Sequence, residues 1–272
     1  MIRILVALAL GAITSGVAHA QTVDIYAAGS LRAVVAGLAK EAGTPFNIAV
    51  TPTFGGSGAL RERIEKGEKP DLFLSADLGS PQKLAALGRT VVPVAVFARN
   101  RMCIVSRRAA GVTASNVVDR LLANDTRVRT STPIADPSGD YAWAIFDRID
   151  AMKPGSGAML KAKAQAVMNL VATPQSPTQS AAAALFASGQ IDLSITYCSA
   201  TAALEHDLPE LVSVEVPPQL DPHPLYGMAV LSSKPEALRL ALYLLSDKGQ
   251  AIVAAAGLVP VVDLPLAAAP AQ

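Results

Sequence analysis

From Gln21 onward the chain alternates short β-rich runs with longer Ala- and Leu-rich runs of helical period, and this alternation restricts the fold more than any other feature of the sequence. Residues 22–26 read as a buried strand, 27–30 as a turn, and 31–41 as a helix with Leu31, Val34, Val35 and Leu38 on one face. The unit repeats: a strand over 47–53, a turn at Phe54-Gly-Gly-Ser57, a helix over 59–65, a third strand over 71–75 and a helix over 80–87. Strands that alternate with helices need crossover connections, which predicts mostly parallel sheets flanked by helices. In such sheets ligands bind beyond the carboxyl ends of the strands, where these turns lie.

A second set follows Asn100. Residues 102–106 and 128–133 read as strands, 115–123 and 141–149 as helices, with Asp136-Pro-Ser-Gly139 between the last two. A helix over 158–170, a polar turn over 173–180, an Ala-rich helix over 181–187 and a strand into Tyr197 complete it. Near the end, 224–232 reads as a strand, and 236–245 and 248–256 as helices. No low-complexity linker separates the sets. The order instead predicts an α/β protein of two lobes with a cleft and a hinge: 21–100 plus 222–263 in lobe 1, 101–221 in lobe 2, and an Ala/Pro-rich tail at 264–272.

Residues 1–20 carry Arg3, an apolar run over 4–13 and a small-x-small end at Ala18-His19-Ala20, the pattern of a secretory signal peptide cut before Gln21. Thr14, Ser15, Gly16 and His19 break the run well short of the ~20 apolar residues of a membrane span. The expectation is a soluble periplasmic protein. Loss of Arg3 takes the 23 basic residues to 22, equal to the 22 acidic ones, so a charged ligand must be captured locally rather than by net field. The same balance supplies no basic footprint for nucleic acid. Cys103 and Cys198 lie in strand-like segments, and in an export compartment they are either paired or two buried thiols. His206 and His223 have no ligand-spaced partner, so neither a metal site nor a cofactor is expected.

Four turns share one design, a strand end followed by small or polar residues and a helix start: Ala28-Gly-Ser30, Gly55-Gly-Ser-Gly58, Pro137-Ser-Gly139 and Pro177-Thr-Gln-Ser180. Glycine lets backbone amides approach a ligand, serine hydroxyls donate, and a helix N-terminus offers unpaired N–H groups at its positive end. Such turns cradle anions, and they also serve as ordinary helix caps. Enzymatic signatures are weak. Gly55-Gly-Ser57-Gly-Ala59 lacks the second glycine of a nucleophile elbow, and no histidine is placed as its base, so a secreted serine hydrolase using Ser57 is the lesser reading. Asp71 and Asp77 read as a strand start and a helix cap rather than a catalytic pair.

The strings YAAGSL (26–31), FGGSGALRERIEKGEKPDLFLSAD (54–77), ARNRMCIV (98–105), DPSGDYA (136–142) and ITYCS (195–199) resemble those of the periplasmic molybdate-binding proteins of ABC importers. The resemblance implies a type II periplasmic-binding-protein clamshell that holds molybdate or tungstate in its cleft and docks, as a monomer, on a membrane permease. Carried over by position, it implicates Ser30 and Ser57 through hydroxyl and amide, Ser138 and Gln179 through their amides, and Tyr197 through its phenol. Gln179 departs from the aliphatic residue usual there. Asp140, beside Ser138, would repel a dianion and suit an oxyanion that carries a proton. The same fold binding sulfate, phosphate or a small organic anion is the alternative, and an exported adhesin or signalling protein with a degenerate cleft is a further one.

Overall fold

The structure, a computed structural model, describes residues 21–174 and 179–262. The expected signal peptide, residues 1–20, and the expected tail, residues 264–272, lie outside the described residues, as do Pro177 and Thr178 of the fourth turn.

One five-stranded sheet has the order β2-β1-β3-β9-β4, built from β1 (Gln21–Ala28), β2 (Ile48–Gly55), β3 (Leu72–Leu74), β4 (Ala95–Arg99) and β9 (Leu225–Val230). A four-stranded sheet has the order β6-β7-β5-β8, from β5 (Met102–Arg107), β6 (Val128–Arg129), β7 (Leu193–Tyr197) and β8 (Leu211–Glu215). Helices α1 (Arg32–Phe46), α2 (Ser57–Glu65), α3 (Gly79–Ala86), α9 (Pro235–Leu245) and α10 (Asp247–Ala255) belong to chain segments of the first sheet. Those of the second are α4 (Val117–Leu122), α5 (Pro137–Met152), α6 (Ser156–Met168), α7 (Ala181–Ala187) and α8 (Thr201–Asp207). Each sheet with its helices forms one lobe of a two-lobed α/β fold.

The helical face read from the sequence packs as expected, with Leu31, Val34, Val35 and Leu38 at most 1% exposed against β1 and its neighbours. β3 is buried throughout, the pattern of a strand covered on both faces. The sheets are nevertheless mixed rather than mostly parallel. The pairs β1–β2, β1–β3 and β6–β7 are parallel, while β3–β9, β4–β9, β5–β7 and β5–β8 are antiparallel. The cause is the double crossing: β9 re-enters the first sheet from the other lobe and runs against both neighbours. β6 is also shorter than the predicted 128–133, because the residues after Arg129 leave the ladder and run toward α2, where the Ala59 N–H reaches Ala135 O at 3.4 Å.

The lobes join at two strands of chain, Asn100–Arg101 and residues 216–224, tied by a bond from Asn100 N–H to Pro224 O of 2.9 Å. Cys103 and Cys198 are disulfide-bonded across β5 and the end of β7, with Cα atoms 4.9 Å apart, which settles the two arrangements left open by the sequence. Among the described residues no helix is long and apolar enough to cross a membrane.

Candidate functional site

The carboxyl ends of strands from both sheets converge on a cavity of about 370 Å³. After β1 the chain makes a single 3-10 turn, Gly29–Leu31, with no side-chain cap. After β2, α2 opens at Gly56, again without a side-chain cap, so the Ser57 and Gly58 amides keep no intrahelical or capping partner, while that of Ala59 reaches Ala135 O. The two turns of the other lobe are closed differently. Asp136 caps α5 by accepting from Ser138 N–H at 3.1 Å, and Ser180 caps α7 by accepting from Ala183 N–H at 3.1 Å. Capping therefore accounts for the second pair of turns and leaves the first pair open to a ligand.

Ser30, Ser138 and Tyr197 all line this cavity, together with Gly56, Ala76 and Asp136. The Ser30 hydroxyl lies 3.1 Å from the Tyr226 hydroxyl, which accepts from Asn100 Nδ2 at 3.0 Å. Asn100 Nδ2 also donates to Ser199 Oγ at 2.9 Å, so a fully buried tyrosine and the crossing strand together hold the first serine. Tyr226 escaped the sequence reading, having no motif around it; its position in β9, directly beside the crossing, was the available signal. Tyr197 donates to Ala76 O at 3.4 Å and packs edge-on against Tyr226 at 5.6 Å between ring centroids. Burial pushes both phenols well above their ordinary range, so both stay protonated and able to donate. The Ser138 hydroxyl is buried with no hydrogen-bond partner, although its amide is taken by Asp136.

Ser57 and Gln179 are placed otherwise. Ser57 is fully buried behind the lining, and its Oγ accepts from Ala76 N–H at 3.0 Å, so it braces the wall against which Tyr197 closes. Gln179 stands just before the Ser180 cap and is not part of the lining; the Ser180 amide next to it donates to Asp207 Oδ2 at 3.1 Å. Asp140 is also outside this lining, and its Oδ1 accepts from Ile134 N–H at 2.8 Å. The carboxylate that does border the cavity is Asp136.

The lining contains no lysine or arginine. His206 and His223 are exposed, with side chains 90% and 72% accessible, and lie beside the neighbouring aspartates Asp207 and Asp221. Among the described residues no three His, Cys, Asp or Glu side chains gather in a way that could hold a metal ion. Hydrogen-bond donors without a cation, set at strand ends and at one uncapped helix start, can hold a small oxyanion.

The chain matches the family of bacterial extracellular solute-binding proteins over residues 23–259. An uncharacterized protein of Pasteurella multocida is 33% identical over 219 residues, covering 79% of this chain and 89% of that one. Among solved structures, the substrate-binding domain of a putative molybdenum ABC transporter from Clostridium difficile aligns with TM-score 0.61 and 22% identity over 89% of this chain and 99% of that one. The periplasmic molybdate-binding protein of Azotobacter vinelandii aligns with TM-score 0.66 and 18% identity over 87% and 98%. The sulfate-binding protein SubI of Mycobacterium tuberculosis aligns with TM-score 0.70 and 16% identity over 89% and 87%. These likenesses show the fold, and the family match over nearly all the described chain shows the kinship: the chain belongs to the bacterial extracellular solute-binding proteins.

Proposed function

We propose that the protein captures a small tetrahedral oxyanion in the periplasm, molybdate or tungstate, and delivers it to the permease of an ABC importer. The observation that carries this reading is the Ser30–Ser138–Tyr197 cavity: protonated hydroxyls from both lobes, an uncapped helix start, an unpartnered Ser138 hydroxyl and no lysine or arginine in the lining. Binding would draw the lobe of 21–100 and 222–263 against that of 101–221. Each hydrogen bond to a charged oxygen contributes roughly 1.5–3 kcal/mol, so four or five reach the ~8 kcal/mol of micromolar binding. Ser57 then acts from behind the wall and Gln179 through the backbone at most.

Asp136 favours a second reading. A carboxylate on the lining repels a fully ionised dianion and accepts from an oxyanion that keeps a proton, such as hydrogen phosphate. Isothermal titration of phosphate-free protein with molybdate, tungstate, sulfate and phosphate separates the two. Tight one-to-one binding of molybdate and tungstate with phosphate silent supports the first; the reverse supports the second. Silence from all four overturns the oxyanion site.

A further inference from the structure

A second cavity of about 390 Å³ adjoins the first, and the two share Gly56, Ser131 and Asp136 as a common wall. A tetrahedral oxyanion displaces on the order of two or three waters of ~30 Å³ each, so the first cavity alone already exceeds what it needs. Together the two have the capacity of a site for an organic molecule.

The second cavity is chemically unlike the first. Arg129, at the end of β6, lines it in a half-buried position, and Val167, Leu170 and Leu185 supply apolar surface. Among the described residues the Arg129 guanidinium makes no hydrogen bond and no ion pair, and the Asp136 charge acts on it only through space. Burial lowers its pKa and Asp136 opposes that shift, yet an arginine so placed keeps its proton. Next to it Thr130 is 4% exposed, and its hydroxyl is buried without a partner. Withdrawing a guanidinium from water without bonds is costly, and its planar fork of donors matches a carboxylate or a phosphate.

We propose that the binding site extends into this second cavity and admits a second class of ligand, a small organic oxyanion whose carbon chain passes the shared wall and whose second acidic group is held by Arg129. The proposal rests on the oxyanion reading of the first cavity. Inorganic anions fill only that cavity; a two-headed ligand spans both.

Titration with a matched set tests it: molybdate, inorganic phosphate, methyl phosphate and 2-phosphoglycolate, on the parent protein and on Arg129→Gln and Arg129→Lys. The parent is expected to bind 2-phosphoglycolate roughly ten- to hundredfold more tightly than methyl phosphate, the effect of one charged pair of bonds. Arg129→Gln should erase that advantage and leave the affinities of the other three unchanged; Arg129→Lys, which keeps the charge and loses the fork, should retain part of it. Equal affinity for the two esters in the parent overturns the proposal while leaving the oxyanion site in place. So does an Arg129→Gln loss that falls equally on molybdate or phosphate, since the arginine then only balances Asp136. Silence of all four ligands overturns both readings.

Discussion

The Ser138 hydroxyl gives a test in which stability and affinity move in opposite directions. The residue is 4% exposed at the start of α5, and its Oγ has no hydrogen-bond partner. A buried hydroxyl left unpaired costs the ligand-free protein roughly 1–3 kcal/mol, and Ser138→Ala removes that cost together with one atom of packing. For a chain of this length 1 kcal/mol corresponds to about 2–4 °C in melting temperature, so the ligand-free variant should melt at the parent's temperature or a few degrees higher. With ligand the sign reverses. If the hydroxyl donates to a bound oxyanion, its loss costs roughly 1.5–3 kcal/mol, a ten- to hundredfold weaker dissociation constant. Differential scanning calorimetry without ligand and isothermal titration with the best-binding oxyanion measure the two halves. A variant that melts several degrees below the parent would mean that the hydroxyl is already satisfied. Unchanged affinity would remove Ser138 from the site.

Three further outcomes are expected. A Cβ on Gly58 would collide with Ile134 O across the lobes, so Gly58→Ala should hold the cleft more open and weaken oxyanion binding at least ~10-fold while each lobe keeps its circular dichroism spectrum; wild-type affinity would show that the contact is dispensable. Opening the Cys103–Cys198 bond, which closes a loop of sequence separation 95, should cost about 4.7 kcal/mol by chain entropy and lower the melting temperature by of order 10 °C; a fall of a degree or two in Cys103→Ala/Cys198→Ala would refute that account. Burial alone would raise the Asp71 pKa, but bonds from Lys234, Asp24 N–H and Ser232 hold it below its ordinary 3.8. Its contribution is therefore full above about pH 4 and is lost as pH falls through the lowered value, so Asp71→Asn should be less stable at neutral pH and show a flatter acid limb in urea titrations; an unchanged acid limb would contradict the assignment.

Much of the fold was legible because its elements obey one period each. α7 was read at its observed bounds, and the buried face of α1 followed from Leu31, Val34, Val35 and Leu38. β4, α8 and β8 were missed. β8, Leu-Val-Ser-Val-Glu, is a partly exposed edge strand, and α8, Thr201–Asp207, is seven residues with only Thr201 and Leu204 buried, too short to show a period. The antiparallel entry of β9 was hidden because strand direction depends on where the chain returns, which no local pattern encodes. At the site, the turns with serines were visible, but which hydroxyls stay free was not. Ser30, Ser57 and Ser138 look alike in sequence; they differ in whether Tyr226, the Ala76 amide or nothing meets the oxygen. Asp136 rather than Asp140 borders the cavity because Asp140 turns to the Ile134 amide, a contact set by the loop after β6.

The knot at Asn100 has a mechanical meaning. Asn100 bonds to Pro224 on the other crossing strand and to Tyr226, and Tyr226 reaches Ser30, so the axis about which the lobes can swing passes within two hydrogen bonds of the ligand cavity. Displacement in a rotation grows with the lever arm. Ser30, two hydrogen bonds from that axis, would therefore travel little in such a rotation. On the oxyanion reading proposed above, the anion settles first on the serine beside the pivot and is then enclosed as the Gly58–Ile134 contact between the lobes closes, which makes the pivot side the docking point and the glycine side the clasp.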